Sequence, residues 1–421
     1  MKKSFHDRLN RCLFFIITFI HLSVQAYEYD LTIAGFALYT EALGRLSITS
    51  VATLKDDLKI NYIPIDNAFN PAFISKDVLN IMENPDRSYG AISLIYQYNE
   101  KFLKECDSKI KIFYTMFDSS DIPYNACNWI NNHFDAIVVP DEWLVPIYRK
   151  GGVSVPIFVL PCLINLDDFL EQYAINKTRH PHEPFVFGSS GAFVPRKNHL
   201  KALEAFIKEF GNSPLAKLKL HGRWGSSDQD LHVLLAQTGV TNVEIINKTF
   251  TQEEYLGFLN SLDCYVFLSK GEGYSITPRE ALANGIPCIL SNNTARTTLC
   301  NSGYVNSIPL SILEPSYNCN DCGGNAIDCK LEDVCLAMRH VFGNYKEYLE
   351  LTAGGRQWIR QYNYKSLKPY YLSLVKPKRV ILGKENKICD DFIMTDSVSL
   401  FNKYKELGIT AAFEIVNGIV Q

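Results

Sequence analysis

Residues 271–285, which read GEGYSITPREALANG, decide how this 421-residue chain is interpreted. They lie between two apolar runs, CYVFLS at 264–269 and IPCIL at 286–290, whose length and composition favour β-strands. The stretch therefore joins two predicted strands through a loop and a short helix.

The predicted helix has start and stop signals. Thr277 is the expected cap, with Pro278 in the first helical position and Glu280 three residues after the cap, which is the spacing of a capping box. Gly285 and Pro287 end the helix. Because glycines precede it, its free N–H groups and the positive end of its dipole are open to a ligand. The stretch predicts an anion site.

Two carboxylates flank this anion site. Glu272 lies in the loop and Glu280 on the first helical turn, with seven residues between them. Carboxylates are poor partners for phosphate but accept hydrogen bonds from sugar hydroxyls. The combination suggests a ligand with a phosphate between two hydroxylated rings. Two plainer interpretations stay open: Glu280 only completes the capping box, and Glu272 is a solvated loop carboxylate.

The whole unit, GEGYSITPREALANGIPCILS, resembles the donor-site motif of retaining nucleotide-sugar glycosyltransferases of the GT-B fold, the "group one" family. In that motif two Glu residues flank seven others. The resemblance implies that Glu272 binds hydroxyls of the donor sugar and that Glu280 binds the donor ribose. It also implies a loop whose backbone N–H groups meet the diphosphate, formed by Gly273, Tyr274, Ser275 and Ile276. Ser275 replaces a frequent glycine of the family.

A second stretch with anion-binding character lies upstream. Residues 184–188 predict a strand, and residues 188–191 a glycine-serine turn that leads to an amphipathic helix over 199–210. Leu200, Leu203 and Phe206 are expected on the apolar face of that helix.

Arg196 and Lys197 precede this second helix. Cations at a helix start oppose the dipole, which is easier to explain if they face a bound anion. The resemblance implies that Lys197 binds the donor diphosphate, that Gly191 belongs to the donor-binding turn, and that Arg196 substitutes for an Arg that the family carries at the position of Ala192. The plainer alternative is a solvated basic helix end.

Fold class and domain limits follow from the strand pattern and the resemblance together. Short apolar runs that alternate with candidate helices predict parallel strands with helical crossovers, and a polar linker is expected at 171–183. The resemblance implies an α/β protein with two Rossmann-like domains facing each other across a cleft and a C-terminal crossing helix. The expected units are a leader at 1–26, an acceptor-side domain at 27–178, a nucleotide-sugar domain at 179–355, and a crossing helix with an extension at 356–421.

Two residues of the first domain are candidates for the acceptor side. Gly44, in GFALYTEALGRLS, resembles a glycine of the family's interdomain loop, although a helix-interior or turn glycine is an equal alternative. Asp118 falls where relatives often carry an acidic residue facing the cleft, and its alternative is an Asx-turn or cap. The PCLIN sequence at 161–165 departs from the family's Pro-x-Gly-x-Asp by losing the glycine.

Composition limits the partners of the chain. A formal net charge of −3 argues against broad nucleic-acid binding, for which a basic excess is expected. Residues 1–26 combine basic residues, an apolar run at 13–20 and a small-residue end, which predicts a signal peptide for secretion. An uncleaved N-terminal membrane anchor and a cytoplasmic location are the alternatives.

Four of the 12 cysteines are clustered in the sequence. The spacing of Cys319, Cys322, Cys329 and Cys335 permits a zinc site, but it is not that of a standard zinc module. Two disulfides are the simpler alternative in an oxidising compartment.

The resemblance implies transfer of a sugar from a nucleotide-diphosphate donor to a glycan, lipid or protein acceptor, with retention of anomeric configuration and without metal or cofactor. Two alternatives remain. One is a binding protein that uses the same scaffold without turnover, and the other is a sugar-nucleotide epimerase.

Overall fold

The first domain is built on a six-stranded parallel sheet. The computed structural model describes residues 27–38, 42–66, 74–175, 183–315, 324–408 and 412–415. The strand order is β2-β1-β3-β4-β5-β6, and the strands are β1 Tyr29–Gly35, β2 Ile60–Pro64, β3 Gly90–Ile95, β4 Ile110–Tyr114, β5 Ala136–Val139 and β6 Ile157–Val159. The helices of this half are α1 Ala42–Leu54, α2 Lys76–Glu83, α3 Glu100–Glu105, α4 Tyr124–His133, α5 Leu144–Lys150 and α6 Asp167–Ile175.

The second domain repeats this plan. Its parallel sheet has the order β12-β11-β10-β7-β8-β9, and the strands are β7 Phe185–Ser190, β8 Ala216–Gly222, β9 Val243–Asn247, β10 Cys264–Phe267, β11 Cys288–Ser291 and β12 Asn306–Ile308. The helices are α7 His199–Phe210, α8 Asp228–Thr238, α9 Gln252–Asn260, α10 Ile276–Ala283, α11 Thr297–Asn301, α12 Leu331–Gly343 and α13 Tyr345–Ile359. An antiparallel pair, β13 Ile312–Pro315 and β14 Asn325–Asp328, precedes α12. The predicted pair of Rossmann-like domains is confirmed.

The chain then crosses back to the first domain through α14, Tyr364–Val375. The hydroxyl of Tyr371 donates to the carbonyl of Pro161 at 2.9 Å, and Lys368 Nζ lies 2.6 Å from a carboxylate oxygen of Asp57. These contacts confirm the crossing helix. They also show that the altered loop at 161–165 packs against α14.

A small sheet ends the described chain. Its order is β16-β17-β15-β18, and its elements are β15 Arg379–Leu382, β16 Lys387–Ile388, β17 Phe392–Thr395, α15 Val398–Glu406 and β18 Ala412–Ile415. It is fixed to the first domain by charge pairs such as Lys403 with Asp135 at 2.6 Å.

Several expectations need correction. The strand β7 continues through Ser190, so the predicted turn at 188–191 is mostly strand. Leu200 is 38% exposed, whereas Leu203 and Phe206 are buried as expected. The predicted linker begins too early, because residues up to Ile175 belong to α6.

Other expectations fall partly outside the described residues. The predicted leader at 1–26 lies outside them, and no helix within the described ranges is long and apolar enough to cross a membrane. Cys319 and Cys322 also lie outside. Cys329 and Cys335 are buried free thiols, and burial raises the pKa of Cys329 to about 11. In the described part of the chain, no three His, Cys, Asp or Glu residues are grouped so as to hold a metal.

Candidate functional site

A cleft of about 330 Å³ opens beside the carboxyl ends of β7 and β8. Ligands bind at this edge in open α/β sheets, because the loops after the strands converge there. The first domain contributes Ala42 and Arg45 to the lining, and the second domain contributes the rest. The second-domain lining includes Gly191, Arg196, Lys197, His221, Arg223, Phe250, Tyr255, Ile276 and Thr277.

The lining of the cleft is cationic. Arg45, Arg196, Lys197 and Arg223 are among its residues, whereas no Asp or Glu of the described chain lines it. A concave surface of this kind, with one sign of charge, attracts anions. The cleft is therefore suited to a ligand that carries phosphate or a similar group.

Glu272 connects the two predicted anion-binding stretches, the motif at 271–285 and the cations at 196–197. Its Oε1 lies 2.5 Å from Lys197 Nζ and 3.0 Å from Arg196 Nη1, and it accepts a hydrogen bond from the hydroxyl of Ser269 at 2.6 Å. The backbone N–H of Glu272 donates to the hydroxyl of Thr294 at 2.9 Å. A solvated loop carboxylate, the plainer interpretation, is wrong: the residue is only 8% exposed.

The charges of this cluster are strongly coupled. Burial alone would raise the pKa of Glu272, but Lys197, Arg196 and Arg296 lower it to about 2. Burial lowers the pKa of Lys197, and the neighbouring Glu272 opposes that effect. Glu272 is therefore ionised near neutral pH, and its carboxylate holds the side chain of Lys197 at the cleft wall.

Arg196 also links the two domains. Its Nε lies 3.1 Å from a carboxylate oxygen of Asp118 in the first domain, and its Nη1 donates to the carbonyl of Gly271 at 2.6 Å. Asp118 therefore lies at the contact between the domains but is not part of the cleft lining, and its acceptor-side role stays a prediction. A Cβ on Gly271 would overlap the carbonyl of Asp118, and one on Gly273 would lie 2.7 Å from the Cβ of Met116. Both glycines are needed for this close approach.

The helix start at the motif differs from the prediction. The helix α10 begins at Ile276, and Ser275, with φ of 64°, is the residue before it. The left-handed backbone explains why glycine suits this position. Thr277 is thus inside the helix, and the predicted cap is wrong. Ile276 and Thr277 line the cleft, so the N-terminal turn of α10 faces it.

The loop before α10 contacts protein on its other side. Tyr274 is buried, and the guanidinium of Arg279 lies 3.7 Å from its ring centroid. Arg279 also donates to the carbonyl of Ser275 at 2.9 Å. Gly273, Tyr274 and Ser275 do not belong to the cleft lining. That their backbone N–H groups meet a diphosphate stays a prediction.

Glu280 makes no capping box. It is fully buried, Arg45 Nη2 of the first domain lies 2.5 Å from its Oε1, and the hydroxyl of Tyr255 donates to its Oε2 at 3.0 Å. Its side chain therefore serves an interdomain contact. Gly44 lies inside α1, as the helix-interior alternative held, and a Cβ there would overlap the carbonyl of Leu38.

Sequence reasoning missed a second wall of the cleft. The ring of His221 stacks on Phe250 at 3.9 Å between centroids, and its Nδ1 lies 2.9 Å from the hydroxyl of Ser190. Burial lowers the pKa of His221, so its ring is neutral near pH 7. Arg223 follows directly after β8. The sequence signal that could have found His221 and Arg223 is their position at the carboxyl end of the predicted parallel strand β8.

Two Rossmann-like domains that meet at this cleft define the GT-B class of folds. Residues 172–305 match the family described as Glycosyl transferases group 1, which confirms the resemblance drawn from the motif. The match runs from α6 to the residue before β12. It includes the cluster around Glu272 and the cations of the cleft wall except Arg45.

Solved structures agree with this fold. The sucrose-phosphate synthase of Thermosynechococcus elongatus is 11% identical, with a TM-score of 0.60 over 82% of this chain and 97% of its own. Anabaena HepE, in complex with UDP and glucose, is 10% identical, with a TM-score of 0.61 over 82% and 98%. WaaG, a glycosyltransferase of lipopolysaccharide biosynthesis, is 10% identical, with a TM-score of 0.55 over 82% and 99%. No curated protein is similar enough to this chain to count as a relative.

Proposed function

We propose that this protein is a glycosyltransferase that moves a sugar from a nucleotide-diphosphate donor to an acceptor, with retention of anomeric configuration. The family match and the GT-B fold support glycosyl transfer in general. The donor, the retaining course of the reaction and its independence of metal are part of the proposal.

One observation carries the proposal. Lys197 and Glu272 are 75 residues apart in sequence, and the cations at 196–197 meet the loop at 271–276 beside the cleft through the carboxylate of Glu272. A simple phosphate loop does not need a buried carboxylate among its cations. A site for a sugar that carries a diphosphate does, because hydroxyls and phosphate oxygens require opposite partners.

The donor diphosphate would lie against Arg196, Lys197 and the first turn of α10. These groups neutralise the charge that develops on the leaving group, so preorganised electrostatics supplies most of the catalysis. Glu272 has all its described side-chain contacts on Oε1, and Oε2 is the oxygen proposed to accept a sugar hydroxyl.

The bonds exchanged follow from this placement. The bond between the anomeric carbon and the diphosphate oxygen breaks, and the acceptor hydroxyl oxygen forms the new bond on the same face. Its proton passes to the departing phosphate oxygen, so no protein base is required. The close approach of Asp118 in the first domain to Arg196 and Gly271 in the second would exclude water and limit donor hydrolysis.

The test is a panel of UDP-, ADP- and GDP-sugars, each assayed for binding by calorimetry and for hydrolysis or transfer. We expect one nucleotide class to bind with micromolar affinity and to be turned over slowly in water and faster with glycan or lipid acceptors. Binding without any turnover would instead favour the non-catalytic binding protein. Absence of binding for the whole panel would contradict both.

We also propose that residues 1–26 act as a secretory leader. N-terminal sequencing of the protein recovered from its native host should then begin at Tyr27. Recovery of the chain from Met1 would contradict a cleaved leader and favour an anchor or a cytoplasmic location.

A further inference from the structure

Arg279 is a buried cation of the motif to which the proposed reaction gives no role. It lies on the first turn of α10, and protein covers its side chain completely. Its Nε and Nη2 form no hydrogen bond with any described residue, and its Nη1 donates to backbone carbonyls. A charge that is buried without a hydrogen-bonded carboxylate is unfavourable. The contacts that hold Arg279 in this place therefore need a reason.

The guanidinium of Arg279 binds two consecutive peptide units of the motif loop. Its Nη1 donates to the carbonyl of Ser275 at 2.9 Å and also to the carbonyl of Tyr274. The guanidinium lies 3.7 Å from the ring centroid of Tyr274 and 5.4 Å from that of Tyr362, and both rings stabilise its charge. Arg279 does not line the cleft. It therefore holds the loop from behind.

The direction of these two carbonyls sets the direction of two N–H groups. In a planar trans peptide unit, the C=O and N–H bonds point to opposite sides. The carbonyls of Tyr274 and Ser275 share their peptide units with the N–H groups of Ser275 and Ile276. Because both carbonyls point to Arg279, both N–H groups point away from it, and Ile276 lies at the cleft wall. Neither N–H group donates to a backbone carbonyl within the described ranges.

The backbone of Ser275 is the part of the loop that needs this support. Its φ of 64° lies in the left-handed region, which is unfavourable for a residue with a Cβ. Its side chain forms no capping hydrogen bond that would offset this cost. Successive residues of opposite hand turn their N–H groups toward one concave anion site. The two hydrogen bonds from Arg279 keep Ser275 in the conformation that such a site requires.

We infer that Arg279 is a positioning residue of the donor site, which orients the N–H groups of Ser275 and Ile276 toward the diphosphate. The inference rests on the proposed function, because it assigns a role within the same site. It adds that Arg279 acts through the backbone and does not touch the ligand. An apolar side chain in place of a buried charge is often neutral or stabilising, so Arg279 serves binding at no gain in stability.

Arg279→Met tests this role. Methionine keeps an unbranched side chain beside the ring of Tyr274, but it removes the charge and both hydrogen bonds. Arg149→Met is the matched control, because Arg149 Nη1 also donates to two carbonyls, those of Val153 at 2.8 Å and Val155 at 2.9 Å, and does not line the cleft. UDP, ADP and GDP are titrated into the full chain by calorimetry, and the tightest is carried forward with its nucleoside.

Arg279→Met should bind the diphosphate about tenfold more weakly than the wild type, the loss expected for one charge-assisted contact. Its affinity for the nucleoside and its melting temperature should change little, and Arg149→Met should bind like the wild type. Arg279→Lys, which keeps the charge and a donor, should recover part of the lost affinity. An unchanged diphosphate affinity in Arg279→Met, or an equal loss for diphosphate and nucleoside, would overturn the inference.

Hydrogen exchange of the wild type supplies a test that needs no folded variant. The diphosphate, but not the nucleoside, should slow exchange at the N–H groups of Ser275 and Ile276. Unchanged exchange at both groups would overturn the inference. If none of the three nucleotides binds the wild type, the proposed function itself fails. If Lys197→Ala weakens diphosphate binding and Arg279→Met does not, only this inference fails.

Discussion

The two carboxylates of the motif are held in different ways. Glu272 is paired with Arg196 and Lys197, which belong to its own domain, and its N–H and Oε1 are fixed by Thr294 and Ser269. Glu280, by contrast, depends on a guanidinium from the first domain. We call Glu272 with its partners the Glu272 region, and Glu280 with its partners the Glu280 region. The two carboxylates come from one short stretch of sequence, a loop followed by a helix.

The difference separates two tasks. Folding of the second domain alone can place Glu272 beside Lys197 and Arg196, because both cations belong to that domain, and Asp118 of the first domain is a further partner of Arg196. The Glu280 region is complete only when the domains meet. Substitutions of Glu272 and Lys197 should therefore damage the chemistry directly, and substitutions at the contacts between the domains should act through closure and binding.

The largest effect is expected in the Glu272 region. Lys197→Ala and Glu272→Ala each break a buried charge pair and remove a proposed donor contact, and charge-assisted contacts are worth ~1.5–3 kcal/mol each. The rate of sugar transfer should fall by ~10²–10³-fold. Steady-state assays with the donor found in the panel of nucleotide sugars measure this fall in the rate of transfer. Lys208→Ala, an exposed site on α7, is the control. Retention of wild-type rates in both variants would contradict the site.

The next effect concerns closure. Gly271→Ala places a methyl group where the carbonyl of Asp118 lies, so the domains cannot approach fully. Transfer should fall by about a hundredfold, while the melting temperature changes little, because the clash exists only in the closed form. Gly257→Ala, where a Cβ meets nothing within 4 Å, is the control. Normal turnover by the Gly271→Ala variant would contradict the prediction that activity depends on closure of the two domains.

A pH effect should be confined to the second domain. Burial lowers the pKa of His199 from 6.5 to about 4, so the folded protein keeps this ring neutral. The contribution of the neutral His199 ring to the free energy of unfolding is fully present above pH 6.5. It is lost as the pH falls toward 4, because the unfolded chain takes up the proton at a higher pH than the folded protein does. For this group the free energy of unfolding should drop by about 2 kcal/mol between pH 7 and pH 5.

Urea unfolding at both pH values measures this drop, with His199→Gln as the comparison. The variant should lose most of the difference between the two pH values. An unchanged difference in His199→Gln would mean that other groups cause it. Arg45→Lys should keep the full pH dependence, because His199 contacts Gly191 within its own domain.

The smallest effect is expected at Tyr255. Tyr255→Phe removes the hydrogen bond to Glu280 and leaves the pair with Arg45 intact. A single hydrogen bond contributes about 1 kcal/mol, so KM for the donor should rise about fivefold with little change in kcat. Tyr348→Phe removes a hydroxyl contact with Asn306 and serves as the control. A large loss of kcat would mean that Tyr255 has a role beyond holding Glu280.

Sequence alone predicted the Glu272 region well and the Glu280 region poorly, for physical reasons. Arg196, Lys197 and the motif loop each lie at the end of a local strand pattern, so their convergence could be expected. Arg45, the partner of Glu280, lies 235 residues away in the sequence, and the periodicity of a local segment cannot predict such a contact. The capping prediction failed because Ser275 adopts a left-handed backbone, which moves the helix start.

The fold was more accessible than the details of the site. Parallel strands and crossovers follow from alternating apolar runs, and the helix over 199–210 was predicted with its correct limits. Leu200 was assigned to the buried face because spacing alone does not tell how wide the covered stripe is. Ala202 and Ala205 take part in that face instead, along with Leu203 and Phe206.

A crystal structure of the full chain with the nucleoside diphosphate that binds most tightly would test the central claim most directly. We predict that the diphosphate lies against Lys197, Arg196 and the N–H groups at the start of α10. The pair between Lys197 and Glu272 should persist. A nucleotide bound elsewhere, or one whose phosphates point away from Arg196 and Lys197, would contradict the assignment of this cleft as a donor site.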